Sequence, residues 1–190
     1  MTILSYTEIC DLIEDGVIEG AQYEAVNSAS LDLHLGPVIL IENQHISQGP
    51  DNMLYLNKKS KLAVEKVKLE SGGQFALHPG QFILASSQEI FNLPNNISAE
   101  YKLKSSMARI GLELLNAGWC DAGWNGSVLT LELKNMTERH RIVLTEGDRI
   151  GQIVFYRHKE VPLDKSYAAR GTYNHHTQTT GVITTPKSGE

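Results

Sequence analysis

Residues 116–133 read Asn116-Ala117-Gly118-Trp119-Cys120-Asp121-Ala122-Gly123-Trp124-Asn125-Gly126-Ser127-Val128-Leu129-Thr130-Leu131-Glu132-Leu133. The first eleven hold three glycines, two tryptophans and a single carboxylate. That composition suits a tight, hairpin-like turn whose backbone can come close to a flat ligand. From Ser127 the pattern takes a period of two: Leu129, Leu131 and Leu133 share one face of a strand, and Val128, Thr130 and Glu132 share the other. A glycine-rich turn feeding an alternating strand is the signature of β structure.

The flanking sequence repeats that theme. Short strands are expected at Phe75–Leu77, Gln81–Ala85, Ile97–Leu103, Ser127–Leu133, Arg141–Leu144 and Ile150–Tyr156. Turn signals separate them at His78-Pro79-Gly80, Leu93-Pro94-Asn95-Asn96 and Glu146-Gly147-Asp148. Further upstream, residues 29–35 alternate, with Leu31, Leu33 and Leu35 on one face. Gly36-Pro37 then breaks the chain before a short apolar strand from Val38 to Ile41. Residues 43–60 are polar, with Gly49-Pro50-Asp51-Asn52 a loop signal. Only the start is helical: Ser5 and Glu8 have capping-box spacing, Ile9, Leu12 and Ile13 follow at helical intervals, and Asp15-Gly16 supplies a stop. Many short strands without long interleaved helices predict an all-β domain, a barrel or jelly-roll-like sandwich with a short N-terminal helix. Residues 1–164 form that domain. Residues 165–190 make a polar tail rich in Thr and His, the composition of a disordered terminus. The alternative is a flap that orders over a ligand.

The chain has 190 residues, 41% of them hydrophobic, and a net charge of −5. A single core of ordinary size is affordable at that length, and a broad basic surface for nucleic acid is excluded. Cys10 and Cys120 form no CxxC pair, which fits a reducing compartment. No signal-peptide pattern opens the chain, and no apolar run reaches the roughly 20 residues of a membrane span. The expectation is a soluble, cytoplasmic protein with no membrane and no nucleic-acid partner.

Three segments could carry chemistry. Lys104-Ser105-Ser106-Met107-Ala108-Arg109 sets two hydroxyls and two cations within six residues, a pattern that suits phosphate oxygens. The plainer reading is a helix cap with solvated cations. Asp121 lies among glycines and tryptophans, where it could read a ligand or merely satisfy a turn. Glu132, on a face with Val128 and Thr130, could be a base with raised proton affinity or an outward-facing strand glutamate. Adjacent His175 and His176 would point apart on a strand and have no acidic partner at ligand spacing. The zinc deaminase signature, the metalloprotease H-E-x-x-H, the G-x-S-x-G elbow and the P-loop are all absent from the sequence.

Together these segments resemble the dCTP deaminase family, including its bifunctional members that form dUMP directly. Ser28-Ala29-Ser30-Leu31-Asp32-Leu33-His34-Leu35-Gly36 is similar to the family's A-S-V-D-L-R-L-G. Lys104 to Gly111 is similar to R-S-S-x-[AG]-R-x-G. The block from Asn116 through Leu133 is similar to A-G-W-x-D-x-G-[FW]-x-G-x-[IV]-T-L-E-L, and Arg149 to Phe155 to R-I-G-Q-L-x-F. The resemblance implies a β-clip or distorted jelly-roll, dUTPase-like subunit and a homotrimer with active sites at subunit interfaces. It implies deamination at cytosine C4 without metal chemistry on the base, with Mg2+ carried by the phosphates of the deoxycytidine or deoxyuridine nucleotide. Glu132 would be the general base. Ser105 and Arg109 would orient the water, and Asp121 would hold the sugar and serve the attack on phosphorus. Lys104, Ser106, Ala117, Thr130, Gln152, Tyr167 and Gln178 would bind substrate.

Two departures stand out. Lys104 replaces an arginine, keeping charge but losing a bidentate fork. Between Tyr167 and Gln178 the family's lysine and tyrosine become Asn174 and His175. These leave open a deaminase for a modified deoxycytidine nucleotide or a catalytically silent nucleotide-binding regulator. A dUTP diphosphatase is the runner-up, since plain dUTPases resemble this fold and share an aspartate at the Asp121 position but generally lack a glutamate at that of Glu132.

Overall fold

Alternation along the strands decides what the core is made of. Leu31, Leu33, Leu131, Leu133, Ile153 and Phe155 are fully buried, and buried side chains from both main sheets merge into one cluster. The structure is a computed structural model that describes residues 1–43, 53–55, 60–115 and 117–183. Asn116 and the Gly49-Pro50-Asp51-Asn52 loop signal lie outside the described residues.

In chain order the elements are β1 (Thr2–Ile3), α1 (Tyr6–Glu14), β2 (Ile18–Glu19), β3 (Leu31–His34), β4 (Val38–Glu42), β5 (Val64–Lys68), β6 (Gln74–Leu77) and β7 (Phe82–Phe91). They continue with β8 (Ile97–Leu103), α2 (Ser105–Arg109), β9 (Leu112–Leu114), β10 (Trp119–Cys120), β11 (Ser127–Asn135), β12 (Ile142–Thr145), β13 (Arg149–Arg157) and α3 (Tyr167–Arg170). The all-β expectation with a short N-terminal helix holds. One sheet runs β1-β13-β8-β10, with β3 also on β13. The other runs β5-β4-β7-β11-β9, with β2 also on β7. β6 and β12 form a separate ribbon. All pairings are antiparallel, as in a distorted jelly roll.

The helix forms as its caps dictate. The Ser5 N–H donates to the Glu8 carboxylate at 3.0 Å, Ile9 and Leu12 are buried, and Gly16 takes a φ of 72° at the stop. Glu8 also receives Arg157 at 2.6 Å, which ties the helix to the end of β13.

Three details differ from the sequence reading. The strand expected over Gln81–Ala85 runs on to Phe91, because β7 has partners along its whole length: β11 and β4 near its start, β11 and β2 near its end. The glycine-rich segment is not a hairpin. β9 pairs with β11, whereas β10 pairs with β8 in the other sheet, so the chain crosses between sheets and returns. Gly118 permits the crossing: a Cβ there would lie 2.5 Å from the Tyr101 carbonyl oxygen, and the Tyr101 N–H donates to the Gly118 carbonyl at 2.8 Å.

The tail also departs from a disordered terminus. Through Ile183 its polar groups find partners on the domain. Trp124 Nε1 donates to the Tyr173 carbonyl at 2.8 Å, the Val128 N–H to the His176 carbonyl at 2.9 Å, and Thr179 Oγ1 to the Val38 carbonyl at 2.6 Å. Composition undervalued a tail whose binding is main-chain hydrogen bonding rather than apolar burial.

Candidate active site

The crossing segment, β11 and the tail enclose a cavity of about 450 Å³. Three stretches of chain supply its polar groups. The alternation of β11 turns Thr130 and Glu132 toward it. The segment at β10 contributes Ala117, Cys120 and Asp121, and the tail contributes Tyr167, Tyr173 and His176. Opposite Glu132 on β7 stands Leu84, and with Phe82, Val64 and Leu62 it forms an apolar wall.

Glu132 is partly buried, and burial pushes its carboxyl above the ordinary value, opposed by a bond to its own backbone. Such a group holds a proton more readily than a solvated glutamate, as a base that must take and return one requires. Its surroundings respond in kind. Burial, then the charges of Asp121 and Glu132, push the Cys120 thiol up to about 12. Burial and the Glu132 charge raise the Tyr101 phenol. Asp121 lines the same cavity, is exposed and accepts a hydrogen bond from Trp119 Nε1 at 2.8 Å. The cavity therefore presents one partly buried carboxyl group and one exposed one, Glu132 and Asp121.

Of the residues expected at the site, Ala117, Asp121, Thr130, Glu132 and Tyr167 face this cavity. The others lie elsewhere on the chain. Ser105, Ser106 and Arg109 are exposed on α2. Lys104 is bound to both carboxylate oxygens of Asp32 at 2.7 Å. Gln152 accepts from Ser30 Oγ at 3.2 Å, and Gln178 accepts from Lys66 at 2.5 Å. Among the described residues no Lys or Arg lines the cavity.

The two histidines part company: His176 lines this cavity, while His175, at a φ of 60°, lies against Gly126 in a neighbouring pocket. Among the described residues no group of three or more His, Cys, Asp or Glu is placed to hold a metal ion. Sequence reasoning missed Cys120, Tyr173 and His176 as lining residues. Their only signal was nearness to Asp121 and to the tail motif.

A family model described as dCTP deaminase-like matches residues 3–158. A dCTP deaminase, dUMP-forming, of Methanospirillum hungatei is 38% identical over 160 residues, covering 81% of this chain and 80% of that protein. One of the same name from Aquifex aeolicus is 38% identical over 170 residues and covers 88% of each. Among solved structures, the 2'-deoxycytidine 5'-triphosphate deaminase of Agrobacterium tumefaciens superposes with a TM-score of 0.62 at 27% identity, covering 80% of this chain. The match spans about half of that longer chain, 48% of its length.

Proposed function

The chain belongs to the dCTP deaminase-like family, and from that membership we propose that it deaminates dCTP and carries the product on to dUMP and diphosphate. The observation that carries this reading is Glu132, a carboxyl of raised proton affinity on the wall of a cavity that Asp121 also lines. Glu132 takes a proton from water as the oxygen adds to C4 of cytosine. It returns that proton to the amino group, which leaves as ammonia, so dCTP and water give dUTP and ammonia. Thr130 and the main chain at Ala117 hold the base edge. Asp121 takes the sugar hydroxyl and then the proton of a second water, whose attack on the α-phosphorus releases diphosphate. The dUMP-forming names of the relatives and the Ala117-Gly118-Trp119 sequence support the second step.

A triphosphate needs positive charge that the described wall of this cavity lacks. The exposed α2, with Ser105, Ser106 and Arg109, offers it to a neighbouring copy, which supports a homotrimer with shared sites. Gln152, Tyr167 and Gln178 complete the binding set. Mg2+ enters on the phosphate oxygens of the nucleotide, where it neutralises charge. The cytoplasm, which holds the substrate, is the proposed location.

One observation favours a second substrate. Leu84, paired opposite Glu132, forms an apolar wall with Phe82, Val64 and Leu62. If C4 of the base is held at Glu132, an alkyl group on the adjacent C5 would meet apolar surface there, which favours a 5-alkyl deoxycytidine triphosphate as that substrate. Product analysis of dCTP, dUTP and 5-methyl-dCTP with the protein and magnesium tests all of this. Formation of dUMP and diphosphate from dCTP is expected. Accumulating dUTP would restrict the protein to deamination, and turnover of dUTP alone would make it a diphosphatase.

A further inference from the structure

Two buried polar side chains at β3 aim at residues that the deaminase reading places near the phosphates. Asp32 is 3% exposed. Its oxygens take both bonds from Lys104 Nζ at 2.7 Å and one from Asn27 Nδ2 at 2.9 Å, with Arg149 Nη1 at 3.7 Å. Ser30, 9% exposed, donates to Gln152 Oε1 at 3.2 Å and accepts from Asn27 Nδ2 at 3.4 Å.

Lys104 is thereby held at both ends. Its side chain is clamped by Asp32, its N–H donates to the Ile150 carbonyl at 3.4 Å, and its carbonyl receives the N–H groups of Met107 and Ala108 at 2.9 and 3.1 Å. The residue that opens α2 cannot shift without taking from a buried carboxylate its nearest cation and two hydrogen bonds, and a buried charge that loses its partner is strongly disfavoured. Ser30 acts on Gln152 differently. An amide has one acceptor end and one donor end. With Oε1 engaged by Ser30, the Nε2 donors are turned away from β3, and donors are what phosphate oxygens need.

We propose that Asp32 and Ser30 are positioning residues for triphosphate recognition, Asp32 fixing Lys104 and the start of α2, and Ser30 orienting the Gln152 amide. The proposal rests on the deaminase reading, because that reading puts Lys104, α2 and Gln152 at the phosphates. It explains why residues 28–36, which face no part of the cavity, accompany the other motifs.

Steady-state kinetics on the full chain with dCTP, and inhibition by tripolyphosphate, test it. Asp32→Asn and Ser30→Ala should each raise KM and the tripolyphosphate inhibition constant ~10-fold, with kcat within ~3-fold of the parent. Asp32→Asn combined with Lys104→Met should be no weaker than the worse single variant, since both break one contact. Additive losses, or a lower melting temperature with unchanged KM, would overturn the proposal. Should Asp32→Asn fail to fold, Ser30→Ala, the smaller change, decides alone. Should the parent leave dCTP intact, the deaminase reading is what has failed. Calorimetric binding of tripolyphosphate to the parent and to Ser30→Ala then still decides the positioning role: weakened binding supports it and equal binding overturns it.

Discussion

Tyr101 occupies the space that any side chain on Gly151 would need. A Cβ at Gly151 would lie 2.1 Å from Cε2 and 2.2 Å from the hydroxyl of Tyr101. The two residues sit on paired strands, β8 and β13. The same residue presses its main chain on Gly118, so Tyr101 crowds two motif glycines, Gly151 with its ring and Gly118 with its backbone.

Gly151→Ala should therefore destabilise the fold by about 1–3 kcal/mol, the usual range for overpacking a core. Adding Tyr101→Leu should recover most of that loss, as urea midpoints would reveal. Equal destabilisation with and without the second change would mean that the clash is not the cause. Among the described residues, the Tyr101 hydroxyl is the buried side-chain polar atom that lacks a partner. Tyr101→Phe alone should therefore be neutral or stabilising.

Glu132→Gln should abolish ammonia release from dCTP while nucleotide binding, read by calorimetry, persists. General base catalysis contributes typically about 10²–10⁴-fold, so a variant within ~3-fold of the parental rate would remove Glu132 from that role.

The same variant carries a pH signature. Burial raises the carboxyl of folded Glu132 above the ordinary 4.5, so between those two values the folded state holds more protons than the unfolded. Stability contributed by this residue is then present below about pH 4.5 and is lost as pH rises through the folded value. Glu132→Gln should melt above the parent at pH 7.5, with the gap closing near pH 4. A gap that does not change with pH would contradict the burial of the charge. Glu89, raised by burial as well despite its 2.7 Å bond to His34, adds to the same downward slope in the parent.

Asp121→Asn keeps an oxygen for the Trp119 indole but cannot accept a proton from water. Deamination should continue while dUTP builds up, visible by ion-exchange chromatography. Formation of dUMP at the parental rate would exclude Asp121 from the second step.

Asn174 is a clasp. Its oxygen accepts from the Asn125 N–H at 2.9 Å and its Nδ2 donates to the Tyr167 carbonyl at 3.0 Å. Asn174→Lys removes both bonds, worth about 0.5–1.5 kcal/mol each. Proteolysis within residues 170–183 should accelerate roughly tenfold or more. An unchanged cleavage rate would show that the remaining tail bonds suffice.

How much of this was legible depended on whether local sequence or distant partners decided each feature. Ile97–Leu103 can be read to the residue, because Pro94-Asn95-Asn96 opens it and a helical turn at Ser105 closes it. β5 cannot: Val64-Glu65-Lys66-Val67-Lys68 has three charges and only two apolar residues, and it is a strand because β4 pairs with it along its length. At the cavity, Asp121 and Glu132 announce themselves through the pattern around them. Tyr173 and His176 do not, since they reach the wall through main-chain bonds to Trp124, Ser127 and Val128. The burial of Asp32 was hidden for a related reason. Alternation assigns it to the face opposite Leu31 and Leu33, and a buried charge is tolerable there because Lys104, 72 residues later, and Arg149 arrive beside it, with Asn27 as a further donor.

The bond from the Trp124 indole to the Tyr173 carbonyl gives the molecule an optical reporter. Trp124 is 6% exposed and Trp119 is 55% exposed, so the two tryptophans of the chain emit from contrasting surroundings. Were the tail to lift, Trp124 would trade a carbonyl acceptor for water and its emission would move to the red. With Trp119 replaced by Phe, any such opening could be followed in real time without an attached dye.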